Sequence, residues 1–161
     1  MQDIVPTVLY QLNESGKLIN EPVNIIGTAF FNSDIYAGDI YKNDLYVTVP
    51  YTDEYFYDYP SVSGADLKAI FCTMVSSTGY PGCPEAESLP TRLRSPEGFP
   101  KYFISLDLDQ IVDDKLYSLV ISDYDSTRFE EKSEKIGITV TRDEGLYTGM
   151  SPFEVYEAFV E

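Results

Sequence analysis

Apolar and polar positions alternate with a period of two along most of this chain, the spacing of extended strands. Val8, Tyr10 and Leu12 alternate with Leu9 and Gln11, the turn-forming Asn13-Glu14-Ser15-Gly16 follows, and Lys17-Leu18-Ile19-Asn20 comes next. That order predicts a hairpin. Val23 to Phe31 is apolar on both faces, with Gly27 marking a bulge or a close backbone approach. Leu45, Val47 and Val49 alternate with Tyr46 and Thr48 until Pro50 ends the strand. Tyr51 to Tyr59 interleaves five aromatics with Asp53, Glu54 and Asp58, which reads as a Tyr-rich edge strand with rings on one face and charge on the other. Leu67 to Val75 reads as a central strand of a packed sheet.

Residues 76–100 are rich in Pro, Gly and Ser and form a long loop or hide an edge strand near Thr91 to Arg94. Beyond it Tyr102, Ile104, Leu106 and Leu108 alternate, Leu116 to Ile121 is a compact apolar run, and Ile136, Ile138 and Val140 alternate cleanly. Asp123 to Lys135 reads as a charged turn between the last two. Near the end, Ser151, Pro152 and Glu154 match an N-cap, a first helical position and a capping box. About ten residues of helix cannot stand alone, so this segment must dock through Phe153, Tyr156 and Phe159. The pattern therefore predicts an all-β, antiparallel sandwich over residues 1–142, a long Pro-rich loop, and a docking tail with a short helix over residues 143–161.

Within Asp113-Asp114-Lys115-Leu116-Tyr117-Ser118-Leu119, Asp113 precedes Tyr117 by four and Leu119 follows by two. The segment resembles the tyrosine corner of immunoglobulin-like domains, in which a Tyr hydroxyl bonds back to nearby backbone. The resemblance covers roughly residues 101–142 and implies an Ig-like or Greek-key β-sandwich. The chain departs from antibody domains in having no Trp and in carrying Leu119 where they carry a disulfide cysteine.

Composition narrows the chemistry. The 161 residues hold 27 acidic and 11 basic side chains, a net charge of −16, with 43% hydrophobic residues, which is globular usage. Such a surface is repelled by nucleic-acid phosphates and by anionic membrane faces, so neither is an expected partner. The absence of His removes Ser-His and Cys-His nucleophile pairs and imidazole metal ligands. Cys72, in an apolar run, reads as a small packed hydrophobe, and Cys83 lies in a Pro-Gly loop; a bridge between them stays open, with synthesis in a reducing cytoplasm the simplest setting. The N-terminus shows neither a basic nor an apolar signal region, so a cytoplasmically made chain, with a virion as destination, is the expectation.

Two acidic clusters offer oxygen ligands for calcium, with Asp107 and Asp109 in one and Asp123 and Asp125 in the other, although neither has EF-hand spacing. No resident cofactor and no catalytic residue is expected. Tyr is suited to binding surfaces, which makes Tyr51, Tyr55, Phe56, Tyr57 and Tyr59, with the tail aromatics, a candidate interface for other protein subunits. The expected function is a non-enzymatic structural subunit of a larger assembly, similar in architecture and composition to bacteriophage head-decoration, neck or tail components. The alternatives are an acidic nucleic-acid mimic that inhibits a DNA-binding enzyme, and a cell-surface adhesion or carbohydrate-binding module.

Overall fold

A computed structural model describes residues 18–27, 56–76, 80, 82–84 and 102–143, with backbone alone for Ile26, Phe56 and Phe103. Of the expected hairpin over residues 8–20 only Leu18–Asn20 are described, and they are not strand; the rest of it, the strand near Val47, the Thr91–Arg94 segment and the helical tail beyond residue 143 lie outside these residues.

The all-β expectation is overturned. The elements run β1 (Glu21–Gly27), β2 (Phe56–Ser63), α1 (Gly64–Met74), β3 (Tyr102–Ile104), β4 (Leu116–Ser122) and α2 (Asp123–Lys135). The strands form one mixed sheet in the order β2-β4-β1-β3. β1 runs parallel to β4, pairing Val23 with Leu119 and Ile25 with Ile121. β3 joins β1 and β2 joins β4 in antiparallel fashion. β2 is the outermost of the described strands on its side, and its ladder shifts register between Tyr59 and Val62, at Pro60, which has no amide proton to donate.

Both helices begin at the same local signal. Ser63 caps α1, its Oγ accepting the Asp66 N–H at 3.1 Å and donating to the Asp66 carboxylate at 2.7 Å. Ser122 caps α2, accepting the Asp125 N–H at 3.2 Å. Each is a Ser-x-x-Asp run at the end of a strand, which satisfies an orphan amide and places negative charge at the positive end of the helix dipole. Leu67 to Val75 is thus helix where a strand was expected, because Gly64, Leu67, Ile70, Phe71 and Met74 fall on one helical stripe and are buried. The charged segment Asp123–Lys135 is helix where a turn was expected; Asp125, Ser126, Phe129 and Ser133 form its narrow buried stripe, and Lys132 and Lys135 suit its C-terminal end.

Ile136–Val140 is not the last strand. The Ile138 N–H bonds the Ser133 carbonyl at 2.9 Å and the Gly137 N–H bonds that of Glu134 at 3.0 Å, a Schellman closure with Gly137 at a φ of +74°. The chain then touches the sheet again through the Asp143 N–H, which donates to the Asp58 carbonyl at 2.8 Å.

The strand register puts Val23, Ile25, Tyr59, Val62, Tyr102, Ile104, Tyr117, Leu119 and Ile121 on one face, and Leu67, Ile70, Phe71, Met74 and Phe129 of the two contacting helices complete that core. Full burial of a side chain such as Leu67 or Phe71 contributes roughly 1.5–3 kcal/mol. The opposite face is buried as well and is more polar, with Asn24, Asp58, Ser118 and Val120 all under 4% exposed. The Tyr117 hydroxyl accepts the Val112 N–H at 3.0 Å. A Tyr hydroxyl bonded to backbone five residues upstream therefore occurs here in a helix-backed mixed sheet, where it pins the turn leading into β4.

Candidate functional site

Among the described residues, α1 and the end of α2 border an open groove of about 560 Å³, within the range of small-molecule sites. One wall is the outer face of α1, with Lys68, Ala69, Cys72 and Thr73; Val75 and Ser76 continue it. Gly82, Cys83 and Pro84, with Leu108 beside Gly82, and Lys135 and Ile136 line the rest of it. Cys72 is not merely a packed hydrophobe: it is bridged to Cys83, with the two Cα atoms 5.3 Å apart. The bridge holds the 82–84 segment against α1, so that both line the groove side by side. Behind it, the Phe71 and Tyr80 rings meet edge to face at 4.9 Å.

Two of the cations in this acidic chain line that groove. The Lys68 ammonium donates to the Ile111 carbonyl at 3.0 Å and pairs with Asp113, so its charge is already engaged. Lys135 stands in the last turn of α2 and is paired with no carboxylate among the described residues. The groove thus offers apolar wall beside one available positive charge.

A second polar group of residues lies at the β2 edge. Asp58 is fully buried and neither carboxylate oxygen has a hydrogen-bond partner. Burial first, and the negative charge of Asp143 second, push its carboxyl up from 3.8 to about 7. On the other face of the strand, the Tyr59 hydroxyl donates to Glu130 at 2.6 Å while its ring meets Phe129 at 5.2 Å. Burial and that hydrogen bond raise the Tyr59 hydroxyl well above its ordinary value. The Arg142 guanidinium lies over the Tyr57 ring, 4.0 Å from its centroid.

Of the candidate interface residues, Tyr59 is core and not surface, and Tyr57 is half-buried beneath Arg142. Phe56 begins β2; Tyr51, Tyr55, Phe153, Tyr156 and Phe159 lie outside the described residues. The calcium candidates are not brought together as ligands. Asp107, Asp109 and Asp123 are exposed, whereas Asp125 is buried and accepts the Gly27 N–H at 2.9 Å. Among the described residues no three acidic or thiol side chains converge as a metal would require.

Sequence reasoning missed Lys68, Lys135 and the disulfide as one site. The available signals were the two Ser-x-x-Asp caps, which place Lys68 on a helix flank and Lys135 at a helix end.

No family model matches the sequence, and no curated protein matches it. Solved structures do. A 5'-nucleotidase precursor from Thermus thermophilus superposes with a TM-score of 0.57 at 13% identity, covering 99% of this chain and 31% of that one. A 5'-nucleotidase from Candida albicans gives 0.55 at 13% identity, covering 88% of this chain and 32% of that one. These neighbours are enzymes, and their shared fold overturns both the sandwich and the reading that drew on it, a non-enzymatic virion subunit. The chain spans about a third of the length of these structures, and its fold is similar to that portion of a 5'-nucleotidase.

Proposed function

We propose that this chain is a domain of an enzyme acting on nucleoside 5'-phosphates, and that its part is to bind the substrate. The observation that carries the reading is the shared fold over 99% of the chain with a 5'-nucleotidase. The groove supports it. A nucleotide has an apolar, planar base and a dianionic phosphate, so its site needs apolar wall and a nearby cation in one concavity. A chain of net charge −16 repels a free phosphate ester over most of its surface, so the local cation decides where one can settle. Lysine suits that task as a compact, hydrated point charge. No described residue is assigned to phosphoester cleavage; the solved neighbours are about three times as long as this chain.

Calorimetric titration of the purified chain with AMP, GMP, CMP and UMP tests the reading. The expected result is saturable, one-to-one binding of at least one nucleotide with a Kd below about 1 mM, corresponding to roughly −4 kcal/mol. Absence of binding by every nucleotide at millimolar concentration overturns it.

A further inference from the structure

We propose that the groove lined by α1, the 82–84 segment and the end of α2 is the seat of the nucleoside monophosphate, with the base against Leu108 and Ile136 and the phosphate beside Lys135. The proposal rests on the nucleotide reading above and adds to it a place and an orientation.

Three observations converge on the groove. Its volume, about 560 Å³, suits a ligand of nucleotide size. Its lining is mostly apolar, and Ile136 remains 40% exposed at its rim, where a flat base can cover it. Its charge is asymmetric. Lys68 is held by Asp113 and the Ile111 carbonyl, whereas Lys135, on the residue next to Ile136, has no carboxylate partner among the described residues. An apolar ledge and an available ammonium on adjacent residues match the two ends of a nucleotide and give it one direction of entry. The Cys72–Cys83 bridge ties the 82–84 part of the lining to α1.

Competing features carry less. The Asp58 and Asp143 pair is acidic and faces no cluster able to hold a cation among the described residues. The exposed Ile19, Val112 and Leu116 form apolar surface with nothing to say what covers it.

The test follows amide chemical shifts of the full chain during titration with AMP, adenosine and inorganic phosphate, and repeats the titration with Lys135→Glu and Ala69→Trp. Ala69 is an exposed α1 residue on the groove wall, so the Trp side chain can fill the groove without entering the core. AMP is expected to shift the amides of residues 69–76, 108 and 135–136. Lys135→Glu is expected to weaken AMP about tenfold or more while leaving adenosine nearly unchanged. Ala69→Trp is expected to weaken both AMP and adenosine. Unaltered thermal midpoints establish that each variant folds. If AMP binds the native chain but both variants bind it equally well, the groove assignment fails and the nucleotide reading survives. If AMP does not bind the native chain at all, both fail. If inorganic phosphate alone matches the affinity of AMP, the base contact is absent and the proposed orientation is wrong.

Discussion

A carboxyl group with neither oxygen hydrogen-bonded resists ionisation, and Asp58 is such a group. Its folded pKa, raised to about 7, exceeds its unfolded value of 3.8. The folded state therefore holds the proton more tightly than the unfolded chain does. The stability this confers is complete below the unfolded value and is lost as pH rises through about 7. Asp58→Asn keeps the shape and removes the charge. Urea unfolding at about pH 5 and pH 8 is expected to show a smaller fall in stability with pH for Asp58→Asn than for the native chain, by on the order of a few kcal/mol. Equal slopes would show that Asp58 ionises freely. Gly64 is constrained by space. A Cβ there would stand 2.0 Å from the Val112 carbonyl oxygen, while the Gly64 N–H already bonds the Lys115 carbonyl at 2.9 Å. Because the obstacle is backbone, it cannot swing away, and Gly64→Ala is expected to destabilise by about 3 kcal/mol or more, measured as a drop in the denaturation midpoint.

At the scale of elements, each helix depends on one serine hydroxyl. Ser63→Ala and Ser122→Ala are each expected to cost about 1 kcal/mol in chemical denaturation, whereas Ser76→Ala, beyond the end of α1, should stay within about 0.5 kcal/mol. These caps also show what the sequence made legible. β1 and β4 were readable from their apolar runs, and the described end of the Tyr-rich segment, Phe56–Tyr59, is strand, with Tyr57 and Tyr59 on the face opposite Asp58. The helices were not recognised, because Leu67–Val75 is apolar at almost every position and Asp123–Lys135 at almost none. Periodicity is weakest in runs of uniform character, and the Ser-x-x-Asp boundary was the information that remained. The groove was invisible for a different reason. Its residues come from α1, the loop at 82–84, Leu108 and the end of α2, and only tertiary packing brings those four places together.

At the scale of the molecule, the Cys72–Cys83 bridge closes a short loop, with a sequence separation of 11. In the chain-entropy account, closing a loop of that size in the unfolded state stabilises by about 3 kcal/mol. Replacing both cysteines by Ser, or adding a strong reductant, is expected to lower stability by that order, read from the shift in the thermal midpoint. A second molecular property follows from the two places where strand passes into helix with no residue between, Ser63 to Gly64 and Ser122 to Asp123. A joint of zero length cannot absorb rotation, so a tilt of either helix is transmitted to its strand as a lever transmits a push to its fulcrum. Since β2 and β4 are neighbours, deuterium uptake along both strands and both helices should then rise in a single step, as one foldon, before the β1–β3 half of the sheet yields.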